Sequence, residues 1–277
     1  MTRFAIAFPG QGSQSVGMLA ELAEQHAVIK ETFAEASQVL GYDLFALVMA
    51  GPAEDLNKTW RTQPALLTAS VALWRLWQQQ GGATPAVMAG HSLGEYSALV
   101  CSGALAFADA VKLVELRGLA MQEAVPEGTG AMAAIIGLPD EKVEEICAAV
   151  NKDGKVVVAA NYNCPGQLVI SGNDAGIAEA CEQLKAAGAK RALPLAVGGA
   201  FHSPLMQPAK DELQAAIEKT QFSAPKCPVY QNVDAKPHTD PKEIQANLIA
   251  QLTSPVRWTK SVQNMIADGA DDFTECG

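Results

Sequence analysis

Apolar residues fall along this chain in two rhythms. Short unbroken runs such as "RFAIAF" (3–8), "AVMA" (86–89) and "AMAAIIG" (131–137) predict buried strands. Longer stretches carry apolar positions three and four apart and predict helices. In "TQPALLTASVALWRLWQQQGG" (62–82), Leu67, Val71 and Trp74 repeat at i, i+4 and i+7. Thr62 can cap that helix, Pro64 falls in its first turn, and Gly81 stops it. Further helices are expected from about Ser15, over 31–41, 95–103 and 107–124, and after the segment "FHSPLM", where Ser203 and Pro204 make a capped start.

The middle of the chain has a different order. A strand (131–137), a helix (139–151), two strands (155–162 and 167–172) around "NCPG", a helix (174–188) and a strand (189–197) succeed one another. This β-α-β-β-α-β order is that of a ferredoxin-like unit. The predicted fold class is therefore α/β. A large hydrolase-like domain with a mainly parallel sheet (1–127 and 198–277) is interrupted by a small ferredoxin-like subdomain (128–197). After the interruption come a strand (229–233) and helices (241–252 and 254–269), and "DDFTECG" opens a last strand.

Composition narrows the function classes. Of 277 residues, 49% are hydrophobic and 18% charged, enough apolar material for a sizeable core. Lys and Arg total 20 against 30 Asp and Glu, a net charge of −10. No basic run carries interleaved aromatics, so no nucleic acid is expected as a partner. No stretch is long and apolar enough to span a membrane, and no signal-peptide pattern opens the chain. Six cysteines without CxxC spacing read as free thiols, giving a soluble, cytoplasmic expectation. The four histidines have no ligand spacing, so no metal site is expected.

The chemistry concentrates at "GHSLGEYSA" (90–98). G-x-S-x-G between a strand and a helix is a nucleophile elbow: two glycines let the chain bend, and Ser92 is left exposed at the turn. The plain alternative is an ordinary tight turn. A serine nucleophile needs a base. His91 adjoins Ser92 and leaves the turn in another direction, so it supports the turn or touches a ligand. His26 and His238 sit in polar, surface-like surroundings. His202 lies beside a capped helix start, whose dipole disfavours imidazolium; it is a base or a structural histidine. Asp109, Asp140, Asp153 and Asp174 are all cap or loop residues, and none makes a convincing third member. A backbone carbonyl is the other way to orient the imidazole.

Arg117 shares a helix stripe with Leu113, Val114 and Met121. It is either a snorkelling or internally paired arginine, or a fork for a substrate carboxylate. "FPGQGSQ" (8–14) lacks a P-loop lysine. Gln11 stands at a strand's carboxyl end, where its backbone N–H can serve as an oxyanion donor or merely close a turn.

"FPGQGSQ", "TQPAL", "GHSLGEYSALV", Arg117 with "RG", "GAMAAIIGL", "NYNCPGQLVISG", "GAFHSPLM" and "SPVRW" occur together in the order and spacing of one family. The chain resembles the malonyl-CoA:acyl carrier protein transacylase family over nearly its whole length. That resemblance implies acylation of Ser92, His202 as its base, and Arg117 as holder of a malonyl carboxylate. It implies an oxyanion hole from the backbone N–H groups of Gln11 and Leu93, and a Gln251 carbonyl that orients His202. Phe201, just before the histidine, goes with malonyl over methylmalonyl in related domains. The implied partners are malonyl-CoA and acyl carrier protein, without a cofactor, in the supply of extender units for fatty acid synthesis. Family members continue with a glycine-proline-glycine turn and a terminal helix, whereas this sequence stops at "FTECG". The elbow by itself also suits a serine hydrolase, and a carrier-binding module with an inert serine is the non-enzymatic rival.

Overall fold

The computed structural model describes residues 3–126 and 128–277. It is a mixed α/β protein with two sheets. In the first, β1 (Phe4–Phe8), β2 (Val87–Gly90), β7 (Val229–Tyr230) and β9 (Asp272–Glu275) run parallel, and β8 (Pro237–His238) closes one edge antiparallel. The order is β8-β7-β2-β1-β9.

Strand alternation sorts this sheet's two faces. Phe4, Ile6 and Phe8 enter the main core with α2 (Ala27–Leu40), α5 (Thr59–Gln79), α6 (Leu93–Cys101) and α7 (Phe107–Glu123). Ala5, Val87, Ala89 and Tyr230 face the other way, onto Met265 and Val262 of α12 (Trp258–Ala267).

The second sheet is antiparallel, in the order β4-β5-β3-β6, from β3 (Gly130–Ile136), β4 (Val157–Cys164), β5 (Gln167–Asn173) and β6 (Arg191–Pro194). Ala133, Ile135, Leu168 and Ile170 pack under α8 (Asp140–Val150) and α9 (Asp174–Ala186). The alternate residues Met132, Ala134 and Val169 join the main core instead. One face of this sheet is thereby turned toward the carboxyl ends of the first. A staple fixes the approach: Tyr162 N–H donates to the Val256 carbonyl at 2.9 Å, and Val256 N–H donates to the Ala160 carbonyl at 2.8 Å. Among the described residues, no helix is long and apolar enough to cross a membrane.

Several elements depart from their expected bounds. Turns fill the chain after Ser15, and a short α1 (Ala20–Gln25) precedes α2. The long helix starts at Thr59 rather than 62, so Pro64 lies inside it, where it deprives only the Trp60 carbonyl near the helix start. Thr62 is no cap; its hydroxyl donates to the Leu56 carbonyl at 2.6 Å. Pro139 is the residue before α8, not part of its first turn. Ser203 does cap, but the element it caps is a 3-10 turn (Pro204–Met206), with α10 (Gln207–Lys219) behind it. α12 begins at Trp258 rather than 254, because Val256 is committed at both backbone groups to β4. α3 (Leu44–Ala50), α4 (Ala53–Leu56) and β8 were not expected; α11 (Pro241–Gln251) was.

Candidate active site

β1 and β2 end side by side, with Phe8 opposite Gly90. The loops leaving them build one wall of the site. A Cβ on Gly90 would overlap the backbone of Gly94, and one on Gly94 would overlap the Phe8 carbonyl. The two glycines therefore serve close packing of the α6 start on the strand ends, rather than the bend itself. The bend falls on Ser92, at φ 51° and ψ −105°. A non-glycine residue held there stores on the order of 1–3 kcal/mol of strain.

Ser92 Oγ lies 2.7 Å from His202 Nε2. His202 Nδ1 lies 3.0 Å from the Gln251 backbone carbonyl, at the end of α11. A carbonyl can only accept, so Nδ1 carries the proton, and Nε2 is left to receive the serine O–H. His202 also has a positive φ, 57°. Burial, and after it the Arg117 charge, together lower its pKa from the usual 6.5 to about 3, with the Gln251 carbonyl opposing both. The helix dipole expected to keep it neutral is a minor matter beside these, since only a 3-10 turn stands next in the chain.

Arg117 is 1% exposed, which removes the snorkelling alternative. Among the described residues no carboxylate pairs with it, which removes the internal ion pair. Its partners are neutral. Nη1 donates to Gln63 Oε1 at 2.8 Å, and Nη2 donates to Gln251 Oε1 at 2.9 Å and Ser92 Oγ at 3.0 Å. Among the described residues its Nε has no acceptor. A desolvated guanidinium held by amides and a hydroxyl is poised for an anion.

These groups open on a cavity of about 170 Å³ lined also by Gln11, Leu93, Phe201, His91, Met132 and Asn163. Leu93 is the first residue of α6, so its N–H has no partner within the helix. Gly10, before Gln11, can only be glycine, because a Cβ would come within 2.6 Å of the His91 carbonyl. Phe201 is buried against Gly199. His91 does not contact Ser92 Oγ by hydrogen bond; its Nε2 pairs with Asn163 Oδ1 at 2.8 Å and its ring meets Trp258 edge-on. His26 does not line the cavity. His238 lies in polar surroundings as expected, against Asp234, Glu243 and Asn247, but is half-buried rather than fully at the surface. All eight residues singled out from the sequence thus gather at one place, with Gln251 present through its carbonyl and side chain. Gln63 and Asn163 were missed, although "TQPAL" and "NYNCPGQ" contain them.

Residues 6–276 match the acyl transferase domain family. A malonyl CoA-acyl carrier protein transacylase of Salmonella typhimurium is 60% identical over 277 residues, covering all of this chain and 89% of that protein. The chain belongs to the malonyl CoA-acyl carrier protein transacylase family. A crystal structure of an acyl carrier protein S-malonyltransferase from Vibrio cholerae, 60% identical, superposes with a TM-score of 0.97 over all of this chain and 90% of its own. Another member of the family, 55% identical with a TM-score of 0.98 over all of this chain and 89% of its own, was solved as a malonyl-transacylase in complex with a type II polyketide synthase acyl-carrier protein.

Proposed function

We propose that this protein transfers the malonyl group from malonyl-CoA to the phosphopantetheine thiol of acyl carrier protein, supplying extender units for fatty acid synthesis. The observation that carries the substrate choice is Arg117, a buried cation whose partners are all uncharged, 3.0 Å from Ser92 Oγ. A malonyl carboxylate brings the missing charge, and a fork fits it bidentately.

Ser92 Oγ attacks the thioester carbon as His202 Nε2 takes its proton. The backbone N–H groups of Leu93 and Gln11 hold the oxyanion. The tetrahedral intermediate collapses, the carbon–sulfur bond breaks, and the proton on His202 passes to the departing coenzyme A sulfur. The carrier thiol then gives its proton to His202, attacks the malonyl-serine ester, and the C–O bond to Ser92 breaks as Oγ regains a proton. No cofactor enters this chemistry. The Gln251 carbonyl holds the imidazole in register where hydrolases use an acid. The incoming carboxylate also neutralises Arg117, which removes one cause of the depressed His202 pKa and strengthens the base only when the correct substrate is bound. His91 and Phe201 shape the acyl pocket.

We read residues 128–197 as a ferredoxin-like subdomain inserted in a discontinuous large domain (1–127 and 198–277). Its β3 and β5 residues Met132 and Val169 line the cavity, which suits a wall that admits the carrier arm and excludes water.

Enzyme loaded with malonyl-CoA, freed of excess and mixed with phosphopantetheinylated acyl carrier protein should yield malonyl-carrier in step with loss of the acyl-enzyme. Release of free malonate at the rate of coenzyme A release, without carrier product, would assign a hydrolase instead.

A further inference from the structure

Glu95 lies three residues beyond Ser92 in the first turn of α6, fully buried, and the chemistry above does not use it. Its Oε2 accepts the Asn232 N–H at 2.7 Å and its Oε1 accepts Gln231 Nε2 at 3.0 Å. Asn232, also fully buried, spans the serine turn with its side chain. Oδ1 accepts the Ser92 N–H at 2.7 Å, and Nδ2 donates to the Gly90 carbonyl at 2.7 Å. The Gln251 Nε2 donates to the Ser92 carbonyl at 3.1 Å beside it.

The strand topology explains the need. β7 pairs with β2 only through Met88 and Ala89, opposite Val229 and Tyr230. Beyond that point the chain leaves the ladder, and Gly90 and Ser92 take their partners from one side chain instead. An amide is required, because one group must be accepted and the other donated to. A buried turn with strained Ser92 and no such bridge would leave two main-chain groups unpaired. Neither Glu95 nor Asn232 lines the cavity.

We propose that Glu95 and Asn232 are positioning residues for the nucleophile: Glu95 fixes Asn232, and the Asn232 amide clamps the turn so that Ser92 Oγ stands at His202 Nε2 before substrate arrives. This rests on Ser92 being the nucleophile. The clamp governs the rate of acylation and leaves the grip on malonyl-CoA, which belongs to Arg117, unchanged. Charged and titratable groups near the clamp are Arg117 from α7, Tyr96 from α6, and His202 against Ser92 Oγ.

The test uses the full chain with Asn232→Ala, Asn232→Asp and Glu95→Gln. Each is mixed rapidly with malonyl-CoA alone, quenched, and read by intact mass and peptide mapping, with circular dichroism giving the folded fraction. Asn232→Ala is expected to acylate about 10²-fold more slowly, with the half-saturating malonyl-CoA concentration held within about twofold. Glu95→Gln, whose Oε1 can still accept the Asn232 N–H, is expected to lose less. Asn232→Asp is the sharper probe. Ionised, it can accept but not donate, with the Glu95 carboxylate on its own main-chain N–H; protonated, it reproduces the asparagine pattern. Its rate relative to wild type at the same pH is therefore expected to recover from pH 8 to pH 5. Wild-type rates in folded Asn232→Ala, a loss that tracks only the folded fraction, or an Asn232→Asp ratio that ignores pH would each overturn the clamp. In those cases Ser92 labelling in the wild type would still stand, whereas a wild type with no label on Ser92 removes both readings.

Discussion

Replacing Arg117 by alanine separates recognition from scaffolding. The side chain is the largest fully buried one among the described residues. Its loss removes the partner of a malonyl carboxylate, a charge-assisted pair worth about 1.5–3 kcal/mol, or roughly 10- to 150-fold in kcat/KM. It also strands Gln63 Oε1 and Gln251 Oε1 in the interior, at about 1–3 kcal/mol each. Relief of the buried guanidinium's own desolvation acts in the opposite direction, so melting temperature alone decides nothing. The ratio of kcat/KM for malonyl-CoA to that for acetyl-CoA decides. Acetyl-CoA has no carboxylate to lose, and in the wild type it must leave the guanidinium unpaired. Removing Arg117 also takes away a cause of the low His202 pKa, so acetyl transfer should hold or rise. The ratio should thus fall by about 10-fold or more. Arg117→Lys should restore little of it, because an ammonium keeps the charge and lacks the fork. Equal losses for both substrates in folded protein would refute the carboxylate reading and leave Arg117 as a structural residue.

His202→Ala should lower turnover about 10²- to 10⁴-fold in steady-state assays at neutral pH while malonyl-CoA still binds, and a near-normal rate would place the base elsewhere. Denaturant titrations against pH should show two opposed contributions. Burial pushes the Glu95 carboxyl from 4.5 up to about 7, so over that window the native chain holds a proton that the unfolded chain has released, and stability falls as pH rises. Glu95→Gln should remove about 3 kcal/mol of that decline. His202 has the reverse sign: its native pKa is depressed, the unfolded chain binds the extra proton below 6.5, and stability falls as pH drops toward 3. His202→Asn should flatten the acid side alone, and an unchanged acid slope would show that His202 is not held neutral.

Legibility in the sequence depends on how much a residue type can announce by itself. Ser92 stood out because G-x-S-x-G after an apolar run marks a strand-to-helix turn, and His202 because a capped start lies just beyond it. The role of Gln251 cannot be read that way: a backbone carbonyl is the same for every residue, and only family resemblance pointed to it. Gln63 and Asn163 were passed over because an amide in a helix or strand carries no local signal until its partner, Arg117 or His91, is found in space. The strand expected over 229–233 kept its first two residues and lost the rest, since Gln231 and Asn232 turn inward to Glu95. The four-stranded sheet was legible in outline, because short apolar runs and a Pro-Gly turn are local. The failure at 254–257 was not local: Val256 pairs with Ala160 and Tyr162, nearly a hundred residues away by chain, and helix propensity yields to that pairing.

The most direct measurement is peptide mapping by mass spectrometry after a brief exposure to malonyl-CoA with no carrier present. One malonyl group should reside on Ser92 in the wild type, none should be found anywhere in Ser92→Ala, and addition of phosphopantetheinylated carrier should discharge it. A malonyl group on another residue, or one that persists in Ser92→Ala, would contradict acyl transfer through this serine.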